Sequence, residues 1–268
     1  MKRYDVIIIG AGIAGMTAGI YVARAGKSAL VLEKGARGGQ IVSALKVENW
    51  PGDYGVSGVD LTDKIYHQMN KCGVDYSDEE VVEIRQSKEF ASVDDASEEV
   101  RPLWLVKTDE AEYSCSAIII AVGTEPRKLS ESQTKDAGKR PISYCAICDG
   151  TLYSDRPVVV VGSGNTAKHE IRYLEGICSK VYHIHHDEPI PEEAEAVFVA
   201  IGRVPMTGFL DGVVSLDDEG YVVADEDCRT SCPGIYVAGD CRTKEVRQLV
   251  TAAGDGAVAG GGAVQYIG

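Results

Sequence analysis

The feature that most constrains this chain is a glycine-rich turn that occurs twice, each time between an apolar run and a helix-forming stretch. The first is Gly10-Ala-Gly12-Ile-Ala-Gly15. A strand is expected before it at residues 4–9, a small-residue helix after it at 16–25, and a second strand at 28–32. Glu33 ends that strand, 18 residues beyond Gly15. Strand, glycine turn, helix, strand and terminal acid, in this order, are what a dinucleotide-binding βαβ start requires. The glycines permit the turn and let a pyrophosphate approach the helix N-terminus, whose free N–H groups and dipole favour an anion; the acid accepts from ribose hydroxyls. The second copy is Gly162-Ser-Gly164-Asn-Thr-Ala167, after a strand at 158–161 and before a helix to about residue 175 and a strand at 180–185. The chain is therefore expected to be α/β with two Rossmann-like domains.

The remaining pattern fills in around these turns. A helix is expected at about 61–72, with strands at 75–84, 103–108 and 117–122. The polar stretch 130–139 reads as a surface linker. Further strands are expected at 196–200 and 234–238, a hairpin-like pair at 213–216 and 221–223, and a glycine-rich terminal helix from Leu249. The first domain is then discontinuous, 1–121 plus 205–268, and the second is 122–204. Only 40 residues separate Gly162 from Gly202. A full dinucleotide-binding domain needs a second crossover with additional strands, so the second domain is expected to be truncated.

A formal net charge of -14 argues against a nucleic-acid or membrane-surface protein, since both need a basic face. No apolar run approaches a membrane span, and the apolar run at residues 6–9 is too short for a signal peptide. A cytoplasmic location is expected. Of eight cysteines, only Cys145 and Cys148 form a C-x-x-C pair. In a cytosolic chain such a pair is more often catalytic than structural. Around a turn the two sulfurs can bridge, and a low-pKa thiolate can exchange with a partner disulfide. Asp149 can give a proton to the leaving thiolate. Cys228 and Cys232 complete a zinc site only on paper, and for Cys72, Cys115, Cys178, Cys228, Cys232 and Cys241 buried inert thiols are the default, with Cys241 singled out because it adjoins Asp240. His183, His185 and His186 lack a placed carboxylate or cysteine beside them, so no metal site is expected.

Several segments together carry a family resemblance: Gly38-Gly39-Gln40, Val47-Glu48-Asn49-Trp50-Pro51-Gly52, Ser143-Tyr144-Cys145-Ala146-Ile147-Cys148-Asp149-Gly150, Gly234-Ile-Tyr-Val-Ala-Gly239-Asp240, and the run from Arg247-Gln248 to Gly254-Asp-Gly256. From about Tyr4 to Ile267 the chain resembles the low-molecular-weight thioredoxin reductases. The resemblance implies FAD at the first glycine turn, thioredoxin as a partner and a homodimer. Gln40, Asn49, Asp240, Arg247 and Gln248 match the family's flavin-contacting positions. Gly39, Gly123 and Gly239 join Gly10, Gly12, Gly15 and Glu33 as candidate cofactor-binding residues. By the same resemblance Cys148 faces the flavin and Cys145 attacks the partner. From the residues alone, Asp240 at a glycine turn suits a ribityl hydroxyl, but an N-cap or Asx turn explains it equally. The terminal helix, starting near Gln248, can aim N–H groups at the flavin pyrimidine. The domains are expected to rotate, because one disulfide must meet both flavin and a bulky partner.

The chain departs from the family after the second turn. Where the family carries His-Arg-Arg and a further Arg to hold the 2′-phosphate of NADPH, this chain has His185-His186-Asp187. No Lys or Arg occurs from Val181 to Gly202, while Asp187, Glu188, Glu192, Glu193 and Glu195 do. A dianionic phosphate would be repelled there. The resemblance then narrows to the ferredoxin-dependent flavin thioredoxin reductases, in which ferredoxin supplies the electrons. Asp187, 20 residues past Ala167, also suits an NADH ribose, so an NADH- or deazaflavin-dependent reductase is the alternative. An FAD-dependent dithiol oxidase and a flavin-binding scaffold without reductase activity are further readings. Because ferredoxins are commonly acidic, a chain at -14 repels one unless a local basic patch exists, for which the candidates are Lys34, Arg37, Lys46, Arg127, Lys128, Arg242, Lys244 and Arg247.

Overall fold

The computed structural model describes residues 1–92 and 100–268. The chain divides into two compact lobes, residues 1–124 with 205–268 and residues 125–204. In chain order the elements of the first pass are β1 (Lys2–Ile9), α1 (Ile13–Arg24), β2 (Ala29–Glu33), α2 (Gly58–Lys71), β3 (Asp75–Asp78), β4 (Val81–Ser92), β5 (Val100–Thr108), β6 (Glu112–Ile120) and β7 (Thr124–Pro126). The second lobe carries α3 (Glu131–Ala137), β8 (Ile142–Ser143), α4 (Ala146–Asp149), β9 (Pro157–Val161), α5 (Asn165–Glu175), β10 (Lys180–Ile184) and β11 (Ala196–Val199). The chain returns through β12 (Arg203–Pro205) to β13 (Ile235–Val237) and α6 (Leu249–Ile267).

The first lobe is built on a sheet of order β3-β2-β1-β6-β5-β4. β1, β2, β3 and β6 run parallel, and β4-β5-β6 form an antiparallel meander. β6 is shared: its first half pairs with β5, and its second half, Ile118–Ile120, pairs with β13. Alternation sorts the central strands between two cores. Val6, Ile8, Ala117 and Ile119 face α1 and α6, whereas Ile7, Ile9, Ile118 and Ile120 face Leu210, Val222 and the meander. Burial on both faces explains why β1 reads as a continuous apolar run rather than an alternating one. The glycines of α6 are explained by its close crossing with α1: a Cβ at Gly256 would lie 2.2 Å from the Ala14 carbonyl oxygen. The doubly covered sheet confirms the Rossmann-like α/β class for this lobe.

The second lobe holds a four-stranded, all-parallel sheet of order β10-β9-β11-β8. Val159 and Val161 of β9 pack with Leu129, Ala137 and Ile190 on one face, and Val158 and Val160 with Ala146, Ala167 and Leu174 on the other. β7 and β12 pair as a short ribbon.

Three expectations change. The stretch 130–139 is not a linker: Ser130 caps α3 by accepting from the Gln133 N–H, and Gln133 is buried with its amide donating to the carbonyls of His185 and Glu188. A seven-residue helix burying only Gln133 and Ala137 has too little apolar periodicity to show in sequence. The single strand 75–84 is two, β3 parallel to β2 and β4 antiparallel to β5. The hairpin at 213–223 shrinks to one bridge, Leu216 to Val222.

Candidate active site

In the first lobe the glycine turn is shaped by backbone contact. Gly10 takes φ +107°, and a Cβ there would lie 2.3 Å from the Ala121 carbonyl oxygen; one at Gly15 would lie 1.9 Å from the Gly10 carbonyl oxygen. Gly12 differs, because a Cβ there meets nothing within 4 Å. Gly12 is also the N-cap of α1, with no side-chain cap and no acid in the first turn. An uncapped helix start behind an open glycine is a seat for an anion. Glu33 closes the other side: its carboxylate accepts from the Ala11 N–H at 2.7 Å and the Gly35 N–H at 2.9 Å.

The other candidates assemble around this turn in small groups. Gly38 donates to the Ala11 carbonyl, and Gly39 lies against Gly12, with a Cβ at 3.6 Å from its Cα. Gly239 packs on the start of α1 beside Ala14 and donates to Asp255 at 3.0 Å. Gln40 donates to the Thr124 carbonyl at 2.7 Å and sits beside Gly123, whose φ is +65°. Asn49 donates to the Gln248 side chain at 3.0 Å. Arg247 donates to the Asp240 carbonyl at 3.1 Å and stacks on Tyr221. The start of α6 is less open than its sequence implies, since Gln248 and Thr251 form a reciprocal capping box that takes up one of its amides.

Sequence reasoning missed the buried ion cluster beneath Gly239. Asp255 receives Arg242 at 3.1 Å and Lys244 at 2.7 Å, and Arg242 also donates to the Asp225 carbonyl at 2.8 Å. Only a loop-to-helix pairing in space brings these residues together, so no spacing rule exposes it. This cluster, with Lys34–Glu80, Arg37–Asp63 and Lys46–Glu48, also engages most of the candidate docking cations in ion pairs. Cys241 is fully buried and burial pushes its thiol up to about 12, which makes it inert. Cys228 is likewise buried, its thiol raised to about 11. Among the described residues no three His, Cys, Asp or Glu side chains group as metal ligands, and no helix is long and apolar enough to cross a membrane.

The second lobe carries the dithiol. Cys145 and Cys148 form a disulfide with Cα atoms 5.3 Å apart, and α4 is the turn between them. Cys148 is exposed and Cys145 half-buried. The Cys145 carbonyl accepts from the Cys148 and Asp149 amides, which winds the pair into one helical turn. Ser143, absent from the sequence candidates, ties the segment together: its hydroxyl donates to Asp149 at 2.6 Å and accepts from the Cys145 N–H at 3.2 Å. At the second glycine turn, α5 starts uncapped at Gly164, where a Cβ would again meet nothing within 4 Å. His183 bonds the Gly162 carbonyl at 2.6 Å, and Asp187 pairs with His186 at 3.0 Å in an exposed left-handed turn at φ +77°.

Comparisons with known proteins agree with this geometry. A family model described as pyridine nucleotide-disulphide oxidoreductase matches residues 4–193 and 186–256. The chain is similar to a thioredoxin reductase of Listeria monocytogenes, 37% identical over 314 aligned positions that cover 99% of this chain and 94% of that protein. Since this chain has 268 residues, that relative contributes aligned positions this chain lacks, and the family model matches in two segments that overlap at 186–193. Among solved structures, a thioredoxin reductase of Streptococcus pyogenes superposes with a TM-score of 0.85 at 31% identity, covering 98% of both chains. A ferredoxin-flavin thioredoxin reductase of Clostridium acetobutylicum superposes with a TM-score of 0.60 at 27% identity, covering 100% of this chain and 98% of that one. Two glycine turns of the same design, a bridged C-x-x-C pair and these matches place the chain in the pyridine nucleotide-disulphide oxidoreductase family.

Proposed function

We propose that the chain is a flavin-dependent thioredoxin reductase that takes its electrons from a ferredoxin. FAD fits the first lobe by the open face of Gly12, the uncapped start of α1 and the Glu33 carboxylate aligned beside them. When bound, FAD supplies the exchange between a one-electron donor and a two-electron disulfide. Gly10, Gly12 and Gly15 shape the pyrophosphate seat; Glu33 is the ribose acceptor. Gly39, Gln40, Asn49, Gly123, Gly239, Asp240, Arg247 and Gln248 surround the remainder.

The protein's own chemistry lies at the dithiol. Two electrons and two protons convert the Cys145–Cys148 disulfide to two thiols. Cys145, as thiolate, attacks the disulfide of thioredoxin and expels one of its thiolates; Cys148 then attacks the mixed disulfide and releases reduced thioredoxin. Asp149, fixed by Ser143, is the residue that passes a proton to the departing sulfur.

The observation that carries the donor assignment is the chemistry after the second glycine turn. No cation lies between Val181 and Gly202, five acids do, and the sheet there has only four strands. A 2′-phosphate has no fork to receive it. The likeness to the Clostridium protein supports the same reading. Of the cations considered for docking, Arg127 and Lys128 are exposed and outside every ion pair among the described residues. One feature favours a second reading, an NADH-dependent reductase: the open Gly164 and uncapped α5 retain the form of a pyrophosphate seat. Anaerobic titration of the oxidised protein with reduced ferredoxin, NADPH and NADH, followed at the flavin band, separates them. Bleaching by ferredoxin alone is expected. Rapid bleaching by NADPH overturns the assignment, and bleaching by NADH selects the second reading.

A further inference from the structure

One ionisable group near the dithiol has no part in that scheme. Glu170 lies on α5 with its carboxylate against the backbone N–H of Ala146, the residue that follows Cys145 and opens α4, and that amide favours its charged form. Its Oε2 is buried with no hydrogen-bond partner among the described residues. The two helices are pressed together at this point. Ala146 is fully buried with Ala167 and Leu174 of α5, and a Cβ at Gly150 would lie 2.9 Å from Leu174 and 3.1 Å from Tyr173. The floor of the C-x-x-C turn is therefore α5, and Glu170 is its polar contact with that turn.

We propose that Glu170 is a positioning residue for the dithiol: it holds the Ala146 amide, and its ionisation controls how readily Cys145 and Cys148 form a thiolate. The proposal deepens the reading of this pair as the redox centre and rests on it. The mechanism is electrostatic. A neutral carboxyl leaves the amide-rich turn free to favour a sulfur anion, whereas a carboxylate one peptide from Cys145 adds a like charge that opposes it. The balance at Glu170 suits such a role. Burial pushes its carboxyl up to about 7, against the Ala146 amide and the Arg203 guanidinium of β12, which favour the charged form. From the other elements packed on α5, β9 contributes only Pro157 and valines; on β10, Lys180 is engaged with Tyr182 and His183 with the Gly162 carbonyl. On α4, Asp149 is bonded to Ser143.

The test reads the thiols directly and needs neither electron donor nor thioredoxin, so it can fail while the proposed function stands. The full flavin-containing chain is reduced anaerobically with a small dithiol, freed of it, and alkylated with iodoacetamide from pH 5.5 to 9, with Cys145 and Cys148 peptides quantified separately. Glu170→Gln keeps an acceptor for the Ala146 N–H and removes the charge. The variant is expected to match wild type at pH 5.5 and to alkylate about threefold to tenfold faster at pH 8, a thiol shift of up to about one pKa step. An equal ratio at both pH values overturns the proposal. Should the variant not fold, infrared spectra of the wild type decide. A protonated-carboxyl band that titrates near neutrality, with a higher midpoint once the dithiol is ionised, supports the coupling by reciprocity. A band lost by pH 5, or a midpoint indifferent to the thiols, overturns it.

Discussion

Two glycines three residues apart are expected to fail in opposite ways when each receives one methyl group. At Gly15 the added Cβ would sit 1.9 Å from the Gly10 carbonyl oxygen, about 1 Å inside the 3.0 Å that real Cβ atoms respect. The obstacle is backbone, and Gly10 has no room of its own, since a Cβ built there would lie 2.3 Å from the Ala121 carbonyl oxygen, so neither side can yield cheaply. Overpacking of this kind costs about 1–3 kcal/mol or more. Against a total of about 5–15 kcal/mol, Gly15→Ala should lower the melting temperature of the flavin-free protein by several degrees or prevent folding. At Gly12 the Cβ enters open space and φ is an ordinary -71°, so Gly12→Ala should melt within a few degrees of wild type. The same methyl would stand where a pyrophosphate must approach, and flavin affinity should fall at least about tenfold, or about 1.4 kcal/mol. The assay is thermal unfolding of flavin-stripped protein beside FAD titration by fluorescence quenching. Wild-type FAD affinity in Gly12→Ala would refute the assignment of the seat, and an unchanged melting temperature in Gly15→Ala would refute the steric account of the turn.

Three further outcomes follow from side chains. Glu170 binds its proton more tightly in the folded chain, up to about 7 against 4.5, so its contribution is complete below pH 4.5 and is lost as pH rises through 7. Glu170→Gln should therefore gain on wild type by up to about 3 kcal/mol at pH 8 and by little at pH 4.5, measured by urea unfolding; a difference that ignores pH contradicts this. Asp255→Asn leaves Arg242 and Lys244 buried beside each other, and chemical unfolding should show a loss of about 3–5 kcal/mol. Ser143→Ala frees Asp149 and the Cys145 amide, and kcat with thioredoxin should fall about tenfold while flavin content stays at the wild-type level.

How much of this was visible in the residues depends on distance along the chain. The two βαβ starts were legible because strand, turn and helix are adjacent, and because strands buried on both faces, such as residues 6–9 and 158–161, write themselves as apolar runs. The C-x-x-C pair and Asp149 were legible for the same reason. α3 was not, since its stability comes from one buried glutamine and one alanine rather than a hydrophobic face. The Asp255 cluster and the Glu170 contact were hidden because each joins residues that only the fold brings together, whereas the Ser143 clamp is local and depends on a turn geometry that the residue pattern does not mark. Most of the candidate docking cations are ion-paired for a related reason: sequence shows a cation but not the carboxylate beside it, as with Arg37 and Asp63.

The measurement that bears most directly on the whole account is an anaerobic reductive titration of the flavin-loaded protein, comparing wild type with Cys148→Ser. If flavin and the Cys145–Cys148 disulfide exchange electrons, wild type should consume twice the reducing equivalents of the variant before the flavin band is fully bleached, since the disulfide is itself a two-electron couple. Equal consumption by the two proteins would show that the disulfide never receives electrons from the flavin, and the account would be contradicted.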